Sequence, residues 1–197
     1  MLKKRTEKRT NKIKNVLAKR FDEVTIIMEN IHDPHNLSAA IRSCDAVGML
    51  EIHAIYHGTQ KIPKLGSKTS ASAKKWVKVN YYSNLDECYS AVRRQGKQIF
   101  TTQMSTKSKS LYDMDFTTPL ALVFGNEHSG VSEEAVKKAD GNFLIPQVGM
   151  IQSLNISVAV AVSVYEVFRQ RNEKKLFDNL QLEKQQYDLT LKQWLEK

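Results

Sequence analysis

Apolar residues along the chain fall into short blocks of two alternating kinds. Near the N-terminus, Ile13, Val16, Leu17 and Phe21 recur at i, i+3, i+4 and i+8 among basic residues, the spacing of a narrow helical stripe. A β-like run follows at 24–28. The stretch 36–47 reads as a helix, with Gly48 as its stop signal. Residues 51–56 form a second strand pattern, 76–82 a third, 85–94 a helix and 98–102 a strand. The five apolar residues at 120–124 are the kind of run a doubly covered parallel strand presents. A short helix is expected at 132–138. Ser132 suits its N-cap, Glu133 and Glu134 its first turn, and Lys137 and Lys138 its last. A brief strand at 143–146 and two helices, 153–171 and 180–195, complete the pattern. Strands alternating with helices predict an α/β domain built on a mostly parallel sheet flanked by helices.

The helix from 153 has no polar face in its first half: Ile156, Val158, Ala159, Val160, Ala161, Val162, Val164 and Val167 occupy every side. A helix that is apolar all round is buried all round. A second copy of the chain would cover it, giving an isologous homodimer; a central core helix is the alternative. The longest uncharged stretch, 141–165, is interrupted by Pro146 and Gly149. A membrane span needs about 20 mostly apolar residues, so this stretch reads as buried core.

Charge changes the picture. The net charge is +9, and it is concentrated. Residues 1–20 hold nine Lys and Arg against Glu7 alone, and 61–80 hold six Lys and no acid, which leaves the remaining body net acidic. Two basic segments on an acidic body fit a polyanion-binding protein. A solubilising tail accounts for this less well, because two separated segments share the bias, and a membrane-surface helix less well, because the apolar stripe of the first segment is thin. The Gly, Ser and Lys-rich loop at 57–75 is long for a compact domain, and such loops are often functional. The N-terminal run lacks the apolar core of about 7–15 residues that a signal peptide carries, so a cytoplasmic protein is expected. Two cysteines, Cys44 and Cys88, form no Cys-x-x-Cys pair and no disulfide framework.

Several chemistries fail on spacing. No Gly-x-Gly-x-x-Gly occurs among the eight glycines. Gly125 and Gly130 have phosphate-loop spacing, but Val131 stands where the lysine is required. His32 and His35 flank Asp33-Pro34 with no third ligand at zinc spacing, so no metal is expected. Cys44 beside Asp45 reads as a small packed helix residue, since no base is assigned to it. Three polar-rich stretches in apolar surroundings remain, around 35–43, 124–130 and 145–155. If Asn36 caps the first helix, it and Arg42 can border one pocket. The second and third stretches follow strands, and open α/β sheets bind ligands at the carboxyl ends of strands. Ser153 and Asn155, at the mouth of the apolar helix, are either internal caps or ligand contacts.

At these residues the chain resembles the SPOUT superfamily of S-adenosylmethionine-dependent RNA methyltransferases, and within it the 2'-O-ribose methyltransferases typified by the tRNA guanosine-18 enzyme. The motifs NLSAAIRSCDAVG (36–48), LVFGNEHSGVS (122–132) and IPQVGMIQSLNISVAVAV (145–162) stand in family order. The basic N-terminal helix and the tail ending near Trp194 and Leu195 resemble the flanks of the tRNA enzyme. Gln147 departs from the family, which usually has Met there. The resemblance implies a basic extension at 1–20, a methyltransferase domain at 21–172 with a deep C-terminal trefoil knot, a helical extension at 173–197, and a homodimer. It implies S-adenosylmethionine as cofactor, bound by Thr102, Gln103, Phe124, Gly125, Asn126, Ile145, Ile151, Ser153 and Leu154. It places Asn36, Arg42, Glu127, Ser153 and Asn155 around the reacting ribose. The substrate it implies is tRNA, gripped by basic residues of the two segments: Lys4, Arg5, Lys8, Arg9, Lys12, Arg20, Lys64 and Lys68. Sister enzymes acting on ribosomal RNA or the wobble nucleotide, and a non-catalytic RNA-binding relative, are the alternatives.

Overall fold

The structure is a computed structural model that describes residues 6–58, 62–63, 73–126, 128–151 and 153–197. In chain order its elements are α1 (Glu7–Leu17), β1 (Val24–Glu29), α2 (Pro34–Val47), β2 (Glu51–Ile55), β3 (Lys78–Tyr82), α3 (Leu85–Arg94), β4 (Gln98–Thr102), β5 (Lys109–Ser110), β6 (Leu120–Phe124), α4 (Glu133–Lys138), β7 (Gly141–Leu144), α5 (Ile156–Glu173) and α6 (Lys184–Glu196). Seven strands form one sheet in the order β3-β2-β1-β6-β4-β7-β5, with every pairing parallel. β1 and β6 are buried along their whole length, which is why their sequences are continuous apolar runs rather than alternating ones.

Alternation still sorts the side chains between two layers. Ile26, Met28, Leu122 and Phe124 face α2 and α5, together with Leu37, Ile41, Val160 and Val164. Ile27, Ile99, Ala121 and Val123 face α3 and α4, together with Leu85, Cys88, Val92 and Ala135. A fully buried side chain of this size contributes about 1.5–3 kcal/mol, so both layers are needed to close the sheet. The two cysteines belong to these layers, and burial pushes the Cys44 thiol far up and the Cys88 thiol up to about 12. Cys44 is therefore a packed thiol, not a nucleophile.

Boundaries differ from the pattern in informative ways. α2 starts at Pro34, and its cap is Asp33, whose carboxylate accepts the His35 N–H at 2.8 Å. Asn36, considered above as that cap, sits inside the first turn. α5 starts at Ile156 rather than 153, with Asn155 as cap. β7 begins at Gly141, earlier than expected, because Gly141 and Asn142 pair with Phe100 and Thr101 of β4; a Cβ at Gly141 would lie 2.9 Å from the Phe100 ring. The two-residue strand β5 has no signal in the sequence; its pairing with β7 creates it.

The terminal helices pack on each other. Ile13 and Leu17 of α1 meet Leu182 and Trp194 in a separate small core, and Trp194 meets Trp76 edge-on at 5.1 Å. Arg20, expected among the RNA-binding residues, is only 2% exposed. Its guanidinium pairs with Asp45, donates to the Met49 carbonyl at 2.9 Å and covers the Trp194 ring at 5.2 Å. It is thus committed to joining the extensions to the body, and its one unpartnered donor, Nε, is buried away from solvent. Among the described residues no helix is long and apolar enough to cross a membrane, and no group of His, Cys, Asp or Glu could hold a metal.

Arg20→Ala is expected to remove about 2–4 kcal/mol, because it strands a buried carbonyl and a paired carboxylate, and to lower Tm by roughly 5–10 °C. Lys12→Ala, on the wet face of α1, is expected to change stability by less than about 0.5 kcal/mol. Thermal denaturation of both variants checks this contrast.

Candidate active site

Parallel strands release their chains at one end of the sheet, and the polar stretches meet there. β4 ends at Thr102, whose hydroxyl donates to the Val123 carbonyl at 3.0 Å; the next amide, of Gln103, donates to Phe143 at 3.1 Å. β6 ends at Phe124 and β7 at Leu144, followed by Gly125 and Ile145. Together with the segment leading into α5 these strand ends enclose a cavity of about 370 Å³. Thr102, Gln103, Phe124, Gly125, Asn126, Ile145, Ser153 and Leu154 all line it. Ile151, grouped with them above, is 64% exposed and stands outside the lining.

The wall at 125–130 is pinched shut. The Asn126 N–H donates to the Gly130 carbonyl at 3.1 Å, and the Gly130 N–H returns to Asn126 at 2.8 Å. A Cβ on Gly125 would lie 2.1 Å from the Gly130 backbone, so only glycine permits the approach. Gly130 itself has φ +67, the left-handed region. The Asn126 side chain accepts the His128 N–H at 2.8 Å and donates to the Asn30 carbonyl at 2.9 Å. Glu127, assigned above to the ribose, lies outside the described residues, as do Lys4, Arg5, Lys64 and Lys68.

Asn155 does two things at once. Its side-chain Oδ1 caps α5 by accepting the Ser157 N–H at 2.9 Å and the Ser157 hydroxyl at 2.6 Å. Its amide nitrogen donates to Asn36 Oδ1 at 3.3 Å, which ties the first turn of α2 to the cavity rim. Three of the motif residues, Asn36, Ser153 and Asn155, thereby come together. Arg42 does not join them: it is exposed and lies outside the lining, and its side chain has no ion pair or hydrogen bond among the described residues.

The sequence reading missed part of the lining. Phe143, Leu144, Ile156 and Ala159 furnish apolar wall, and Gly130 and Gln147 border it. Phe143 reaches the cavity because β7 pairs with β4, a neighbour far off in sequence that no local signal reveals. The Gly125–Gly130 spacing was visible, but its use in a backbone contact rather than a phosphate loop was not.

Gly125→Ala is expected to force the loop open at a cost of about 2–3 kcal/mol. Gly130→Ala has open space and is expected to cost only about 1 kcal/mol of backbone strain. Urea denaturation of the two variants tests this order.

Comparison with known proteins finds relatives along the whole chain. The profile of the SpoU rRNA methylase family matches residues 23–165, a span that contains all three motifs. Over 196 residues the chain is 41% identical to the tRNA (guanosine(18)-2'-O)-methyltransferase of Thermus thermophilus, covering 100% of both chains. The A. aeolicus TrmH/SpoU tRNA modifying enzyme superposes with a TM-score of 0.88 at 36% identity, over 96% of this chain and 95% of that one. The SpoU methyltransferase AviRb of Streptomyces viridochromogenes, in complex with the cofactor AdoMet, superposes with a TM-score of 0.68 at 25% identity, over 78% of this chain and 62% of that one. With the profile spanning the sheet and its strand-end loops, and relatives aligned along the whole length, the chain belongs to the SpoU rRNA methylase family.

Proposed function

We propose that this chain is a tRNA (guanosine-18-2'-O-)methyltransferase that uses S-adenosylmethionine and acts in the cytoplasm. The observation that carries this reading is collinearity with a tRNA guanosine-18 enzyme over the full length of both chains. The basic N-terminal helix and the C-terminal helix are part of the match, so the likeness extends beyond the catalytic domain to the flanks.

The cavity fits the cofactor by its chemistry. It is concave, walled on one side by Phe124, Phe143, Leu144 and Leu154, and rimmed by Thr102, Gln103, Asn126 and Ser153. At Gly125 the place of a side chain is taken by the Gly130 backbone, so this part of the wall is built from main chain. When bound, S-adenosylmethionine supplies a methyl group already activated on a sulfonium, so no metal is required. The transfer is an in-line displacement: the ribose oxygen bonds to the methyl carbon, the carbon–sulfur bond breaks, sulfur keeps the electron pair, and the hydroxyl proton must leave. The task of this chain is to align the oxygen and manage that proton.

Asn36 and Asn155, joined at the rim, would orient the ribose, with Ser153 of the same lining; Glu127 would share in fixing the ribose. Arg42 would serve the hydroxyl. In the chain by itself its guanidinium is exposed, with donors suited to a substrate phosphate. A proton-accepting role would require that RNA or a second copy of the chain cover it.

We also propose that the working form is a homodimer carrying the C-terminal trefoil knot of the family. α5 buries Ile156, Val160, Val164 and Val167 within the chain and leaves Val158 and Tyr165 46% and 53% exposed, with Phe168 on the same stripe. This stripe supports the sequence reading of a helix that needs a second cover. RNA would lie on the wet face of α1, where Lys8, Arg9 and Lys12 are exposed. Arg20 drops out of that set.

Mass spectrometry of an unmodified tRNA transcript incubated with enzyme and S-adenosylmethionine is expected to find one added methyl, on the ribose of guanosine 18. A methyl on the wobble nucleotide, or on ribosomal RNA alone, would assign a sister activity instead. Arg42→Ala is expected to lower the transfer rate by about 10²–10⁴ while tRNA binding persists. Replacing Lys8, Arg9 and Lys12 with Ala is expected to reduce the salt dependence of tRNA binding by a slope of about 2–3, read by titration at several salt concentrations. Tyr165→Asp is expected to shift sedimentation from dimer to monomer.

A further inference from the structure

A buried carboxylate behind the cavity has no part in the chemistry above. Glu29 ends β1, beside the central strand β6, and is 1% exposed. A carboxylate so placed persists only where donors surround it. Oε2 accepts the Ser132 N–H at 2.9 Å, and Oε1 accepts the Ser132 hydroxyl at 2.7 Å. His57 Nε2 lies 2.8 Å from Oε1, in the place of a third donor. Ser132 is also the N-cap of α4, accepting the Ala135 N–H at 3.2 Å, so its hydroxyl is engaged on both sides.

The next residue extends the same hub. Asn30 has φ 55, a left-handed conformation that non-glycine residues seldom adopt without a compensating contact. In that conformation its carbonyl receives the Asn126 side-chain amide at 2.9 Å, and its own side chain accepts the His57 N–H at 3.2 Å. Glu29 and Asn30 thus hold both ends of the loop between β6 and α4: Asn126 at its start and Ser132 at its finish. That loop carries Gly125, Asn126 and Gly130, three residues of the cavity wall. The remaining contact, to His57, fastens the chain just after β2 to the same hub.

We propose that Glu29 is a positioning residue for the cofactor cavity. It acts through Ser132, with Asn30 acting through Asn126, and holds the 125–132 wall in its pinched form. This rests on the methyltransferase reading of the cavity, and extends it to a residue that touches neither cofactor nor substrate. A packed apolar side chain in its place would leave the partly buried Ser132 amide without its acceptor, and the loop would be free to open.

Two measurements on the full-length protein test the proposal. Hydrogen exchange without ligand is expected to show that Glu29→Met lowers protection of the Gly130 and Ser132 amides by about tenfold, while the β1 and β6 amides keep theirs. Calorimetry with S-adenosylhomocysteine, well below the melting temperature, is expected to show binding weakened by about tenfold, a loss that lower global stability alone would not cause. Glu29→Gln can turn its carbonyl oxygen toward the Ser132 amide, and is expected to recover most of both losses. Should Glu29→Met not fold, Ser132→Ala carries the same comparison, with the same direction expected in both measurements. Protection and affinity within about twofold of wild type in these variants would overturn the proposal, that being too little for a lost buried acceptor. The exchange arm needs no cofactor, and wild-type binding of S-adenosylhomocysteine tests the methyltransferase reading separately.

Discussion

A parallel sheet covered on both faces leaves one place for polar chemistry: the end at which every strand lets go of its chain. The strands β1 and β6 are buried throughout, so their backbones satisfy one another and their side chains are spent on two apolar layers. Whatever must meet a ligand is pushed into the turns after Glu29, Thr102, Phe124 and Leu144. These turns are brief and close together, and each must satisfy buried polar groups with few residues. The close contact of Gly125 with Gly130, the capping of α5 by Asn155 and the donors around Glu29 are three solutions to that one requirement.

The same economy explains why single side chains hold two elements each. Asn155 ends a loop as a helix cap and reaches across to Asn36, so the start of α5 and the start of α2 share a position. Asn126 closes its own turn and binds the end of β1. A rim assembled this way is set by the sheet beneath it and has little freedom of its own, which suits a reaction that depends on aligning three atoms. Arg42 stands apart from this network, exposed on α2, as expected of a group whose partner comes from outside the chain.

The extensions follow a different logic. Two cations that look interchangeable in sequence with the wet ones, Arg20 and Arg171, are buried and stacked on Trp194 and Phe21. Arg171 pairs with Glu23 at 2.9 Å and Gln181 at 2.9 Å, and joins the end of α5 to the chain before α6. Basic residues in this protein therefore divide into those that face solvent and those that fasten the terminal helices down, a division that charge counts do not contain.

By itself the sequence determined the alternation of strands and helices, the doubly buried character of the 120–124 run, the capped short helix after Ser132, and the three polar motifs, two of which line the cavity. All of these depend on local periodicity, capping chemistry or motif order, which neighbouring residues encode. Only the tertiary structure decided that Asp33 and not Asn36 caps α2, that Phe143 lines the cavity, that Arg20 is structural, and that Glu29, His57, Asn126 and Ser132 form one cluster. Each of these depends on contacts between residues 25 to more than 100 positions apart in the chain, or on a competition between nearby caps. The order in which strands pair supplies those contacts, and strand order leaves no mark on the periodicity of any one segment.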